Sequence, residues 1–471
     1  MIELPPAERR IFCNRTLNLR SIKAVGFDMD YTLIHYHTAE WERRAYHGVR
    51  KRLLEDGFPV KRLQFDPTLI KLGLIIDTEL GNVVKANRFG YIKRACHGTT
   101  PLSFDEQRAV YGRVQIDLAE PRWQFMNTLF ALSEACMYSQ MVDLLDKGKL
   151  GPQIGYSDLY KIVRSRIDET HVEGSLKGEI ISEPHLFVEL DAEVPLALLD
   201  LKHAGKKLLL ITNSEWHYTS AMMQYAFDRF LPGGMTWRDL FDLVIVEARK
   251  PDFFNVQKSI FEVVDETQGL LRPFIGRLKE KGVYLGGNAS LIEQGLGLSG
   301  EEFLYIGDHI YADVLVSKNI LRWRTALVVR ELEQDLESNR AFQAKQQTLR
   351  KLMAQKELLE HEYSLLRLDL QRLNLGYGPR PKRKAPDIRK SIQELRNQVI
   401  ALDEQIGPLA KEASELTSTL WGPLMRAGND KSYLARQIER YADIYTSRLS
   451  NLVVQTPFVY LRAPGGGLPH D

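Results

Sequence analysis

Apolar residues along the chain follow two patterns. In the first, short continuous runs end in a polar or acidic residue, and a plausible helix follows each one. These runs are Ala24-Val25-Gly26-Phe27 before Asp28, Lys207 to Ile211 before Thr212, Leu243 to Val246 before Glu247, and Phe303 to Ile306 before Gly307-Asp308. A fifth run, Thr325 to Val329, lacks such an ending. Unalternating runs of this kind predict strands buried on both faces, as in a parallel sheet covered by helices, and hence an α/β fold. Ligands of such sheets sit beyond the carboxyl ends of the strands. Asp28, Thr212, Lys250 and Asp308 all fall at or just after those ends, so they are expected to converge on one edge of the sheet.

The second pattern is helical. Leu349, Leu352, Leu359, Tyr363, Leu366, Leu370 and Leu373 follow spacings of three, four and seven, and Ile388, Ile392, Leu395, Val399, Leu402, Ile406, Leu409, Ala413 and Leu416 alternate four and three. Each is a heptad stripe. The glycines and prolines between Gly376 and Pro386 break any helix, so residues 336–417 are expected to form an antiparallel helical hairpin. Self-packing or contact between copies of a homo-oligomer, a dimer or a tetramer, accounts for it more simply than a foreign partner does.

Residues 35–195 interrupt the alternation between the first and second strands and are too many for a loop. They predict an inserted α+β cap. Within it, Leu72 to Thr78 and Asn82 to Ala86 flank a Leu80-Gly81 turn and read as a hairpin, while Arg122 to Lys147 and Tyr156 to Asp168 read as helices. The core is then 1–34 and 196–335, and 418–471 is expected to pack on it.

Composition narrows the function classes. With 63 basic and 61 acidic side chains among 471 residues, the net charge of +2 gives no electrostatic case for nucleic acid or a membrane surface. Cys13, Cys96 and Cys136 are too few for a disulfide framework or a zinc site. The first residues carry acidic and basic side chains and no long apolar stretch, unlike a secretory signal. No run is long enough to span a bilayer. A cytoplasmic protein is expected. The basic run Lys382-Arg383-Lys384 reads as a solvated tip.

The chemistry lies in four short segments. Asp28 and Asp30, two residues apart at a strand end, taken alone fit a structural role, as a helix cap or a structural cation site, as well as a catalytic one. A carboxylate attacks phosphorus only when a cation offsets the repulsion between the two anions, and a second carboxylate on the same turn can protonate the leaving oxygen and then deprotonate water. Asp308 supplies a second magnesium ligand beside Asp28, with a backbone carbonyl near Asp30 as a third, and Asp313 binds through water or orients the others. Asp308 and Asp313 also fit helix caps. Thr212-Asn213-Ser214 at a strand-to-helix junction suits phosphate as well as a cap. Lys250, before Pro251, is kept out of a helix interior and can offset phosphoryl charge.

In this order, the segments around Asp28, Thr212, Lys250 and Asp308 resemble the four motifs of the haloacid dehalogenase superfamily. Asp28-Met29-Asp30-Tyr31-Thr32-Leu33, Ala248-Arg249-Lys250-Pro251 and Gly307-Asp308-His309-Ile310-Tyr311-Ala312-Asp313 are similar to the cytosolic purine 5′-nucleotidase family, which prefers inosinate and guanylate. So are Asn127 to Phe130, Gly174 to Lys177, Arg440 to Tyr445 and Leu468 to Asp471.

The resemblance implies a Rossmann-like core and Mg2+-dependent hydrolysis of a purine nucleoside 5′-monophosphate, with nucleoside phosphotransfer as a side reaction. It implies Asp28 as nucleophile, Asp30 as acid and base, Thr212 and Lys250 on the phosphate, and Asp308 on the metal. In the cap, Phe130 and His171 match residues that sandwich the base, Arg164 and Asp168 match groups at its edge, and Lys177 matches one near the phosphate. Val172 departs from a tyrosine of the purine enzymes, Asp117 and Asn319 replace basic residues of the vertebrate activator site, and the acidic C-terminal tail is missing. Two other readings stay open: a phosphatase for another small ester, and a non-catalytic interaction protein working through the hairpin.

Overall fold

The computed structural model of the chain describes residues 5–128, 131–151, 153–172 and 175–464, with the side chains of 171, 172 and 175 outside the description. Ten strands form the main sheet: β1 (Phe12–Cys13), β2 (Ala24–Phe27), β3 (Lys207–Ile211), β4 (Leu243–Val246), β5 (Ile260–Asp265), β6 (Leu270–Pro273), β7 (Gly282–Gly286), β8 (Phe303–Gly307), β9 (Arg324–Val328) and β10 (Ile444–Thr446). Their spatial order is β1-β10-β9-β8-β2-β3-β4-β7-β5-β6. The seven from β10 to β7 run parallel, and β1, β5 and β6 add antiparallel edges. All five expected runs are among the parallel strands. Every residue of β2 is buried, which is why that strand carries no polar alternation.

The insertion leaves the core after β2 and returns before β3. Its outgoing strand His35–Tyr36 and its returning strand Val188–Glu189 pair antiparallel, so both crossings run through one two-stranded ribbon. Beyond it lies a five-stranded antiparallel sheet, ordered Thr100–Pro101, Ile92–His97, Asn82–Ala86, Ile75–Asp77 and Trp123–Phe125. The expected hairpin is its centre, with Asp77 opposite Asn82. The helix expected from Arg122 begins only at Leu132, because Trp123–Phe125 pairs with Ile75–Asp77 as an edge strand and sheet pairing overrides local preference. The helices Thr38–Glu55, Leu132–Asp146 and Tyr156–Val172 pack together.

Contacts divide the chain into two compact units, Met1–Glu333 with Leu424–Asp471, and Gln334–Pro423. In the second unit the long helices Leu332–Leu375 and Ala385–Glu415 meet along the heptad seam. Leu349 packs with Leu402 and Ile406, and Leu366 with Ile388 and Leu395. Lys345 pairs with Glu412 and Lys356 with Asp403, each at 2.5 Å, so the arms run antiparallel. Among the described residues, no helix is long and apolar enough to cross a membrane.

Candidate active site

Strand register assembles the site. Phe27 on β2 pairs with Ile306 on one side and Leu210 on the other, and Ile211 pairs with Ile245. The residues just past these pairs, Asp28, Asp308 and Thr212, therefore stand at neighbouring tips, with strands spaced about 5 Å apart. Asp28 N–H still donates to Ile306 O and Thr212 N–H to Ile245 O, each at 2.9 Å. The Thr212 hydroxyl, fully buried, accepts from Ser214 N–H at 3.1 Å.

Lys250 arrives on the turn after β4. Glu247 and Arg249 there have φ of 46° and 57°, a left-handed conformation costly for side chains that are not glycine. Donation from Glu247 N–H to Ser214 O and from Ala248 N–H to Thr212 O, both 3.0 Å, holds the turn to the neighbouring strand tip. Asn213 completes the clasp. Its side-chain oxygen accepts from Lys250 N–H at 2.6 Å, and its amide donates to Lys250 O at 3.2 Å. That side chain is thus spent on the lysine backbone rather than turned to a ligand.

Lys250 Nζ lies 2.8 Å from both Asp28 Oδ1 and Asp313 Oδ1, and donates to Tyr305 Oη at 3.0 Å. The Tyr305 hydroxyl donates onward to Ile211 O at 2.9 Å. Its ring fits against β2 because Gly26 has no side chain; a Cβ there would fall 2.8 Å from Tyr305 Cδ2. Burial pulls the Lys250 ammonium down, but Asp28 and then Asp313 outweigh it and hold the group well above the usual lysine value.

Asp28, Asp308 and Asp313 bring one carboxylate oxygen each to within 4.8 Å of one another. Burial first, then the Asp313 charge working against Lys250, pushes Asp28 up to about 6. Asp308 is pushed well above the carboxylate range by burial, then by Asp313 and Asp28. One ammonium among three crowded carboxylates leaves negative charge unbalanced, and an all-oxygen donor set is what a hard divalent cation takes, so the residues fit magnesium. Asp313 also accepts His309 N–H at 3.1 Å, and its carboxylate occupies the space a Cβ at Gly307 would need, 2.4 Å away.

Asp30 stands beside this group. Its Oδ1 accepts from Tyr36 Oη at 2.5 Å and its Oδ2 from Ser214 Oγ at 2.8 Å. Burial, then Asp28, raises its pKa, while Tyr36, Lys177 and Ser214 oppose the rise. From the cap, Lys177 on the helix Ser175–Ser182 reaches Glu215 at 2.6 Å and Ser214 Oγ at 3.4 Å, and lies 4.8 Å over the Tyr218 ring. Asp28, Asp30, Thr212, Ser214, Lys250, Asp308, Asp313 and Lys177 are therefore gathered at one place.

The sequence model of the 5′ nucleotidase family matches residues 11–471. The chain belongs to the 5′-nucleotidase family. A 5′-nucleotidase domain-containing protein of Dictyostelium discoideum is 26% identical, over 98% of this chain and 74% of that protein. Solved structures overlap more loosely. A predicted phosphoglycolate phosphatase from Haemophilus somnus has 13% identity and a TM-score of 0.29, covering 65% of this chain and 85% of that one. A haloacid dehalogenase phosphatase from Thermococcus onnurineus has 13% identity and a TM-score of 0.27, covering 66% and 87%. The fold rests on the sheet order, not on these overlaps. As a member of the 5′-nucleotidase family the protein is a phosphoric monoester hydrolase.

The residues expected at a purine base are less fully described. Phe130 and the His171 side chain lie outside the described residues. Arg164 pairs with Asp168 at 3.4 Å along its own helix, at i and i+4, and with Glu134 of the helix Leu132–Asp146 at 2.7 Å. Its charge also adds to the depression of His309, which burial first and then Lys250 hold down at about 4. Sequence reasoning passed over Tyr36, Tyr218 and Tyr305. Tyr305 lies in an apolar run, Tyr36 between His35 and His37 and Tyr218 between His217 and Thr219, and only a hydroxyl partner across the fold marks each.

Proposed function

We propose that this nucleotidase hydrolyses purine nucleoside 5′-monophosphates with Asp28 as nucleophile and Asp30 as acid and base. The observation that carries the reading is the meeting of Asp28, Asp308, Asp313 and Lys250 at adjacent parallel-strand tips with Asp30 alongside. Asp28 and Asp308, with Asp313 and a backbone carbonyl near Asp30, would hold Mg2+, which when bound supplies positive charge to offset that of the phosphoryl group. In the first step an Asp28 oxygen forms a bond to phosphorus, the bond from phosphorus to the 5′-oxygen breaks, and Asp30 gives its proton to that oxygen. In the second, a water oxygen bonds to phosphorus, the aspartyl ester breaks, and Asp30 takes the water proton. A nucleoside hydroxyl in place of water makes the same site a phosphotransferase.

The ammonium of Lys250, kept charged by its two carboxylates, offsets phosphoryl charge, with Thr212 and Ser214 at the neighbouring strand tip and Lys177 adding a cap cation beside them. Phe130, His171, Arg164 and Asp168 are assigned to the base by their likeness to the purine enzymes. A panel of purine and pyrimidine monophosphates, sugar phosphates and pyridoxal phosphate, assayed with Mg2+ and with or without added nucleoside, tests this. Release from inosine and guanosine monophosphates should lead the panel. Equal rates on all members would remove the base assignment.

A further inference from the structure

Both oxygens of Asp30 are held by hydroxyls, and one of these belongs to a residue outside every phosphate motif. Tyr36 lies on the strand His35–Tyr36, where the chain leaves for the cap, and its hydroxyl reaches back to Asp30 Oδ1 at 2.5 Å. The ring is fixed by buried neighbours: Tyr31 edge-on at 5.3 Å and Trp41 tilted at 4.6 Å between centroids. Its hydroxyl also lies 3.0 Å from Tyr218 Oη, on the helix Trp216–Phe227, so either phenol can donate to the other. Burial keeps both phenols protonated.

A hydroxyl in such a chain serves either state of a carboxyl group. It donates to the carboxylate, or accepts from the protonated acid while its own proton turns to the second phenol. Ser214 on the other oxygen leaves little freedom for the carboxyl to rotate.

We propose that Tyr36, backed by Tyr218, is a positioning residue for leaving-group protonation: it fixes the Asp30 carboxyl for proton transfer and bonds to it before and after that transfer. The proposal rests on the reading of Asp30 as acid and base. Tyr36 gains and loses no proton overall; the proton passes from Asp30 to the ester oxygen as the bond to phosphorus breaks, and from water to Asp30 as the aspartyl phosphate breaks. In the first step a misdirected acid slows only those esters whose leaving oxygen needs a proton; the second step, with water, is common to every ester. The first step is spared for p-nitrophenyl phosphate, whose leaving group departs as a stable phenolate.

Tyr36→Phe should lower kcat on inosine 5′-monophosphate by about 10- to 100-fold, part of the usual general-acid contribution, with KM little changed. On p-nitrophenyl phosphate the first-step rate, read as the pre-steady-state burst of p-nitrophenolate, should stay within about threefold, while the burst of inosine falls with kcat. Tyr218→Phe, which leaves the Tyr36 contact in place, should show the same asymmetry more weakly. Equal first-step losses on both esters would mean a merely structural tyrosine, and an unchanged rate on the nucleotide would mean no role; either overturns the proposal. Asp30→Asn separates the two levels. If its first-step rates show the leaving-group asymmetry and those of Tyr36→Phe do not, only the Tyr36 proposal fails; if Asp30→Asn slows the first step of both esters alike, the acid assignment fails and takes the proposal with it.

Discussion

Lys250 is a single ammonium facing Asp28 and Asp313 directly and Asp308 close behind, and the site's geometry depends on how tightly these groups are held. Gly307 sets that tightness, since the Asp313 carboxylate sits where any side chain at 307 would go. Gly307→Ala should therefore displace Asp313, lower stability by about 1–3 kcal/mol, and raise the magnesium concentration needed for half-maximal activity. Thermal unfolding and a magnesium titration check it, and wild-type behaviour in both would show that the space is not needed. At this scale the motif residues were legible in the sequence, because Asp28, Asp30, Lys250 and Asp308 each sit in a local pattern with its own chemistry. The hydroxyls of Tyr36, Tyr218 and Tyr305 were not, because their function depends on partners brought close only by the fold. Asn213 was read as a phosphate contact, and its bonds to Lys250 appear only when two distant turns are seen together.

At the scale of elements, the parallel strands were readable because burial on both faces leaves an uninterrupted apolar run. The outer strands gave no such signal. β6 is exposed along its whole length, and β7 begins and ends in glycine. Trp123–Phe125 lies where local spacing predicts the start of a helix, because its edge pairing leaves no trace in that spacing. Helix Thr38–Glu55 carries a different kind of information. Its Glu42 is fully buried, accepts Ser133 N–H at 2.6 Å, and is pushed up to about 8 by burial, with Glu134 adding to the rise against the Ser133 bonds. A carboxyl whose folded pKa exceeds its unfolded value binds more protons in the folded state. Stability from this group is thus greatest below the unfolded value and is lost as pH rises towards about 8. Glu42→Gln keeps an acceptor for Ser133 and removes the titration, so the variant should gain on the wild type between roughly pH 5 and 8, by at most about 1.4 kcal/mol per pH unit. Melting curves across that range test it; parallel profiles for the two proteins would contradict a raised Glu42.

The whole molecule joins a catalytic unit built from distant segments to a helical unit built from neighbouring ones. The heptads were the easiest feature to read, since each arm needs only its own spacing and the glycines and prolines between the arms. The catalytic unit needs residues 28, 212, 250 and 308 to meet, and the register of β2 against β3 and β8 is what makes them meet. On the proposed reading, that convergence makes Asp28, 2.8 Å from Lys250, the group that attacks phosphorus. The most direct test is to quench the enzyme with acid during turnover of phosphorus-labelled inosine 5′-monophosphate and map the label by peptide mass spectrometry. An acid-stable acyl phosphate should appear on the peptide carrying Asp28 and be absent from Asp28→Asn, which should also fail to turn over. Label on any other residue, or continued turnover by Asp28→Asn, would contradict Asp28 as the nucleophile.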